Sequence, residues 1–140
     1  MKQRFYIDTL IWRDYYEGRS DRFRPLGEWA LMFFRKALQE QHTILFSSIV
    51  VDELQKDYDK EKIQEIFSVI DNTSLFRKAS VHKKQFKEAS QLSKDRKVPF
   101  GDALHAIIAR DNEAIVITRD RHFEVLQDIT QAKKPEELLY

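Results

Sequence analysis

The stretch Ala114-Ile115-Val116-Ile117-Thr118-Arg119-Asp120 is the most informative part of the chain. Its apolar run is short and rich in β-branched residues, which favours a strand that is buried on both faces. Arg4 to Ile7 is a similar short run that stops at Asp8, and His42 to Phe46 is a third. These runs predict a buried sheet whose strands end at polar residues.

Helical patterns lie between the predicted strands. The clearest covers Leu26 to Glu40, where apolar residues recur on one helix face. The other predicted helices are Asp8 to Tyr16, Ile49 to Tyr58, Lys60 to Asp71, Val81 to Asp95, Pro99 to Asn112 and Arg121 to Gln127. Weaker patterns predict short strands at Leu75 to Ala79 and near Ile129, and a last helical turn from Pro135. Because strands alternate with helices, we predict an α/β fold, a three-layer α/β/α sandwich with a central parallel sheet.

Composition limits the classes of protein to which the chain can belong. We expect residues 1–140 to form a single domain, because this length suits one hydrophobic core. The absence of cysteine excludes disulfides, thiolate zinc sites and thiol chemistry. A net charge of +1 argues against purely electrostatic binding of nucleic acid. The first residues are too polar for a signal peptide or a membrane span, so we expect a cytoplasmic protein without membrane contact.

Four acidic residues stand where a parallel sheet places ligands. Asp8 and Asp120 follow predicted strands, Asp102 begins a helix, and Glu53 lies one turn into another helix. The carboxyl ends of the strands are the usual ligand edge of an open α/β sheet. Each acid taken alone has a simpler explanation, since Asp often caps a helix and Glu53 suits a solvated helix face. Only their joint placement predicts a shared site.

Carboxylates gathered at one point raise each other's pKa unless a cation neutralises them. Mg²⁺ and Mn²⁺ favour oxygen ligands and therefore suit an all-carboxylate site. Such a site supports hydrolysis of phosphodiester bonds. We therefore predict that Asp8, Glu53, Asp102 and Asp120 bind Mg²⁺ or Mn²⁺ and carry the catalysis.

Four segments in order resemble the PIN-domain ribonucleases, and among them the VapC-type toxins of toxin–antitoxin pairs. The segments are Ile7-Asp8-Thr9, Ser47 to Leu54 (SSIVVDEL), Val98 to Ala106 (VPFGDALHA) and Ile115 to Phe123 (IVITRDRHF). The ending Lys134 to Leu139 (KPEELL) is also similar to the family's. Two departures are Leu10, where many relatives carry Asn, and a long Arg-rich loop from Gly18 to Pro25.

The resemblance implies an Mg²⁺- or Mn²⁺-dependent endoribonuclease that acts on RNA. It also implies a homodimer and a cognate antitoxin as partner. The family's constant acids correspond to Asp8, Glu53 and Asp102, and a more variable fourth acid corresponds to Asp120. Thr9 and Thr118 match polar positions that support the site.

Two alternatives remain open from the sequence. One is a PIN-domain nuclease in RNA processing that is not a toxin, and the other is a catalytically silent module that binds RNA or a partner. A phosphatase with an aspartate nucleophile would need a second Asp where Leu10 stands.

Basic and histidine residues near the acids give further hypotheses. Arg119 and Arg121 flank Asp120 and are candidate RNA contacts. We expect His105 to be a packed side chain that forms hydrogen bonds near the site. His122 is a candidate phosphate contact, and we expect His42 and His82 to lie on the surface.

Overall fold

The computed structural model describes residues 1–139, and a five-stranded parallel sheet forms its centre. The strands are β1 (Arg4–Ile7), β2 (Thr43–Phe46), β3 (Phe76–Lys78), β4 (Ile115–Ile117) and β5 (Ala132–Lys133). Their spatial order is β3-β2-β1-β4-β5, and every neighbouring pair is parallel. The predicted central parallel sheet is therefore confirmed, with the first strand of the chain in the middle.

Helices flank the sheet, so the predicted α/β/α sandwich is also confirmed. They are α1 (Thr9–Glu17), α2 (Leu26–Gln39), α3 (Ser48–Leu54), α4 (Lys60–Phe67), α5 (Lys83–Arg96) and α6 (Phe100–Asp111). Two 3₁₀ helices follow, at Arg121–Leu126 and Pro135–Leu138. None of the helices in the described part of the chain combines the length and the hydrophobicity needed to cross a bilayer.

The strand predicted near Ile129 was placed too early. Thr130 instead turns the chain, because its hydroxyl donates to the carbonyl of Ala114 over 2.9 Å. Pairing with β4 begins only afterwards, where the Val116 N–H donates to the Gln131 carbonyl, and the strand itself is β5. The predicted ends of α3 and α4 were each four residues too late, since helical structure stops at Leu54 and Phe67.

The core packs against both faces of the middle strand. In β1, Phe5, Tyr6 and Ile7 are all buried, as expected for a middle strand that is covered on both faces. The Trp12 ring of α1 stacks on Phe34 of α2, with 4.9 Å between the ring centroids, and thereby fixes these two helices together. Since β1 and β4 are parallel neighbours, the residues that follow them meet at one edge.

Candidate active site

One cleft at the carboxyl edge of the sheet is lined by all four predicted carboxylates. Its volume is ≈ 310 Å³, and its lining comprises Asp8, Thr9, Leu10, Arg13, Glu53, Pro99, Gly101, Asp102 and Asp120. Asp8 directly follows β1 and Asp120 follows β4, whereas Glu53 and Asp102 lie in α3 and α6. The structure thus brings together the four acids that the sequence places far apart.

Asp8 is held at the base of the cleft by Thr118. The Thr118 hydroxyl donates to the Asp8 carboxylate over 2.8 Å and accepts from the Asp120 N–H over 3.0 Å. Asp8 stands at the N-terminus of α1, but its side chain forms no capping hydrogen bond. Burial raises the pKa of Asp8, and the nearby His105 and the Thr118 hydrogen bond only partly oppose this rise. A buried carboxylate that does not cap its helix is available to a ligand.

Glu53 is oriented by hydrogen bonds to a single oxygen, Oε1. The Thr9 hydroxyl donates to it over 3.2 Å, and His105 Nε2 also bonds to it. Burial alone would raise the pKa of Glu53, but the hydrogen bond and charge of His105 bring it below the ordinary value. Glu53 is therefore held as a carboxylate, with its other oxygen free of these two bonds.

His105 belongs to a buried line of hydrogen bonds. Its Nδ1 lies 2.6 Å from the Tyr6 hydroxyl, which lies 2.7 Å from the Ser47 hydroxyl. Burial would lower the pKa of His105, but the bond to Glu53 and the charge of Asp8 raise it overall. His105 is thus packed and hydrogen-bonded beside the site, in agreement with the prediction from the sequence.

Asp102, Asp120 and His122 form a tight group of possible metal ligands. Their ligand atoms all lie within 4.8 Å of one another. His122 Nδ1 is 2.8 Å from Asp120 Oδ1 and 3.1 Å from Asp102 Oδ2. Neither approach has hydrogen-bond geometry, so Asp102 Oδ2 and His122 Nδ1 are buried atoms without a hydrogen-bond partner in residues 1–139. Burial, followed by the charges of Asp120 and Asp8, raises the pKa of Asp102 to about 7.

Asp120 combines this position with a structural role. Its Oδ1 accepts from the His122 N–H over 2.9 Å and so caps the 3₁₀ helix that begins at Arg121. The capping explanation considered for each Asp therefore applies to Asp120. It does not apply to Asp102, which lies in the first turn of α6 after Pro99 and makes no cap.

Arg119 lies against the protein and does not line the cleft, and the RNA contact predicted for it stays a prediction. Its guanidinium donates to Glu136 over 2.8 Å, lies 3.6 Å from Asp14 and packs over the Trp29 ring. Only 13% of its side chain is exposed. Arg121, in contrast, is exposed and remains a candidate.

Residues that the sequence did not single out also shape the site. Arg13 lines the cleft, donates to the Glu53 carbonyl over 2.9 Å and pairs with Asp57 at 3.0 Å. Its spacing of four residues from Thr9 places both on one face of α1, a signal that was available in the sequence.

His42 is less exposed than expected, because its Nδ1 accepts from the Gln3 N–H. No pattern in the sequence assigned Tyr6 or Ser47 to the surroundings of the site, since a buried Tyr and a helix-capping Ser are ordinary features.

Three crystal structures share this fold at low sequence identity. VapBC2 from Rickettsia felis, bound to a DNA fragment from its promoter, has a TM-score of 0.63 and 19% identity, and the match covers 94% of this chain and 98% of that chain. FitAcB from Neisseria gonorrhoeae has a TM-score of 0.64 and 15% identity, covering 96% and 99%. PAE2754 from Pyrobaculum aerophilum has a TM-score of 0.58 and 14% identity, covering 99% and 94%. At these identities the likeness is one of fold.

No curated protein matches the sequence. The family model described as the PIN domain matches residues 5–129, a range that contains the whole cleft. The chain therefore belongs to the PIN-domain family.

Proposed function

We propose that the protein is an Mg²⁺- or Mn²⁺-dependent endoribonuclease and the toxin of a type II toxin–antitoxin pair. Membership of the PIN-domain family supports nuclease activity, because proteins of this family are generally nucleases. The observation that carries the proposal is the convergence of Asp8, Glu53, Asp102 and Asp120 on one cleft. All four acids are present, including Asp120 at the position that is more variable in the family.

The donor atoms in the cleft fit a divalent cation. Asp102 Oδ2 and His122 Nδ1 are buried and have no hydrogen-bond partner in residues 1–139, which is costly unless a ligand satisfies them. Asp102, Asp120 and His122 would hold the cation, with Asp8 beside them. A cation held there supplies Lewis-acid chemistry, which activates water and neutralises charge on a phosphodiester. Because Mg²⁺ keeps almost entirely to oxygen ligands, the imidazole nitrogen of His122 would favour Mn²⁺ over Mg²⁺.

The protein's own residues prepare the reaction. Thr118 fixes Asp8, while Thr9 and His105 fix Glu53, so that the carboxylates need little rearrangement when substrate binds. In hydrolysis the oxygen of a water molecule bonds to phosphorus, and the bond from phosphorus to the 3′ oxygen breaks. The 3′ oxygen takes up a proton, which leaves a 3′-hydroxyl and a 5′-phosphate. A carboxylate of the cleft accepts the proton that the water loses.

The assignment as a toxin with an antitoxin partner rests on sequence resemblance and on the fold. VapBC2 and FitAcB, to which the chain is similar in fold, support it, and the motifs quoted above are similar to those of VapC-type toxins. We further propose a homodimer in the cytoplasm, as the resemblance implies. An antitoxin encoded beside this gene would support the toxin assignment directly.

The test compares two adjacent acids of α3. Glu53 enters the cleft, whereas Asp52 is exposed on another face of the helix, so Asp52→Asn is a matched control for Glu53→Gln. We expect Glu53→Gln to lower the rate of RNA cleavage with Mg²⁺ or Mn²⁺ by at least about 100-fold. Asp52→Asn should cleave at the wild-type rate. EDTA should abolish cleavage by the wild type and by Asp52→Asn.

Expression in cells distinguishes the alternatives. A toxin arrests growth in its wild-type form and not as Glu53→Gln. Cleavage of RNA without growth arrest would favour a processing nuclease. RNA binding that is equal in the wild type and in Asp8→Asn, with no metal-dependent cleavage in either, would favour the silent module and refute the proposal.

A further inference from the structure

A tight turn between α1 and α2 presents an aromatic ring to solvent. In this turn the N–H groups of Asp21 and Arg24 each donate to the other residue's carbonyl, over 3.0 and 2.9 Å, and their side chains form an ion pair. Arg22 has a φ of 54°, a conformation that non-glycine residues seldom adopt. At the tip, 99% of Phe23 is exposed. The backbone is thus held in a specific shape that keeps Phe23 out of the core.

The base of this turn is tied to the second half of α1 and to the start of α2. The Arg19 N–H donates to the Asp14 carbonyl over 3.0 Å, and the Gly27 N–H donates to the Arg19 carbonyl over 2.9 Å. The buried Asp14 carboxylate lies 3.7 Å from Arg19 and 3.6 Å from Arg119. Arg119 directly precedes Asp120 in the chain, so Asp14 connects the base of the turn to the segment that follows β4.

The turn carries three arginines, two of which form ion pairs with nearby acids. Arg19 pairs with Glu17, and Arg24 pairs with Asp21. Arg22 is exposed and has no ion pair with any acid in residues 1–139. An unpaired guanidinium beside an exposed ring is a chemical match for a phosphate joined to a base, since arginine binds phosphate and rings stack on bases.

We propose that Phe23 and Arg22 form a contact for single-stranded RNA outside the cleft. The Phe23 ring stacks on an unpaired base, and the Arg22 guanidinium binds a neighbouring phosphate. The inference rests on the proposed function and names the form of RNA that the site takes. Duplex RNA does not expose base faces, so the contact selects unpaired nucleotides.

A protein partner fits this turn less well. A stable protein interface buries about 800 Å² on each partner, whereas one aromatic side chain offers only about 150–250 Å². A nucleobase needs no more than the face of one ring. The size and charge of the turn therefore favour a nucleotide over a protein surface.

The test measures RNA binding in EDTA, where cleavage does not interfere. The probe is a twelve-nucleotide single strand that contains 2-aminopurine, and the same strand in a duplex serves for comparison. We expect Phe23→Ala to weaken binding of the single strand by about five-fold or more and to remove the quenching of 2-aminopurine by stacking. Phe23→Trp should preserve both signals, whereas Phe23→Leu, which is apolar but cannot stack, should lose them. Arg22→Ala should reduce the salt dependence of binding.

A half-exposed aromatic residue on α5 provides the control. Phe86→Ala removes a ring that lies outside the turn, against Phe100 of α6, and should leave the quenching of 2-aminopurine unchanged. Equal affinity of the wild type and Phe23→Ala, or wild-type affinity of Phe23→Leu, would overturn the inference. So would a change in oligomeric mass by light scattering with RNA affinity unaltered, because the turn would then be a protein contact. A wild type that binds RNA through Phe23 but cleaves nothing in Mg²⁺ or Mn²⁺ would refute only the nuclease assignment.

Discussion

The orientation of Glu53 depends on a hydroxyl that does not touch it. The Tyr6 hydroxyl joins Ser47 to His105, and all three side chains are buried. We expect Tyr6→Phe to lower the free energy of unfolding by about 1–3 kcal/mol, because His105 Nδ1 and the Ser47 hydroxyl would lose a buried partner. Urea denaturation followed by circular dichroism measures this loss.

Tyr16 supplies the comparison, since its hydroxyl donates to Glu65 at the surface over 2.8 Å. Water replaces such a bond, and Tyr16→Phe should cost no more than about 0.5 kcal/mol. If the two variants lose equal stability, the buried hydrogen bonds of Tyr6 contribute no more to the free energy of unfolding than the surface bond of Tyr16.

Sequence reasoning at this scale identified which acids share the cleft but not how each side chain is held. Strand ends and helix starts are visible as patterns, and they located Asp8, Glu53, Asp102 and Asp120. The direction of a side chain beyond a strand end depends on distant partners. Arg119 follows β4 as predicted, yet Glu136 and Asp14 draw it away from the cleft. His122 joins the possible metal ligands because the 3₁₀ helix begins at Arg121, and no periodic pattern predicts that turn.

The close packing of α1 against α2 depends on Gly27. A Cβ at this position would lie 2.4 Å from the backbone carbonyl oxygen of Asp14, which cannot move without disrupting the turn. We expect Gly27→Ala to destabilise the protein by about 1–3 kcal/mol, as overpacking does in other cores. The midpoint of urea unfolding provides the measurement.

Gly101 is the matched control, because it is also helical and a Cβ there meets no atom of residues 1–139 within 4 Å outside the helix's own backbone and its chain neighbours. Gly101→Ala should be neutral or stabilise the protein by up to about 1 kcal/mol, since Ala favours helix. Equal effects of the two substitutions would show that helix propensity, and not the contact with Asp14, governs Gly27. The sequence predicted α2 well, but the close approach of Gly27 to the Asp14 carbonyl is visible only in the tertiary structure.

A proton and a metal ion would compete for the Asp102 carboxylate of the proposed site, and this competition would affect the stability of the whole protein. Folding raises the pKa of Asp102 from its ordinary 3.8 to about 7. The folded state therefore binds this proton more tightly than the unfolded state does, and its contribution to stability falls as pH rises from about 4 to about 7. In the proposed metal site, a divalent cation would replace the proton and restore the lost stability. We expect Mn²⁺ to raise the melting temperature more at pH 8 than at pH 5.5.

Differential scanning fluorimetry at fixed Mn²⁺ concentration tests this linkage, with Asp102→Asn as the control. The variant should show a smaller metal-induced shift and little difference between the two pH values, because it has no proton to exchange at this position. A wild-type shift that is the same at both pH values would contradict the assignment of Asp102 as a ligand.

The position of β1 in the middle of the sheet has a consequence for biosynthesis. It pairs on both of its sides in the sheet with strands that come later in the chain, β2 and β4, and the Thr118–Asp8 bond joins residues 110 positions apart. Contacts of such long range form late, because the intervening chain must first be ordered. A nascent chain on the ribosome carries Asp8 from the beginning but cannot enclose the cleft until Asp120 has emerged. An interrupted translation product would therefore lack the complete cleft that the proposed ribonuclease activity requires.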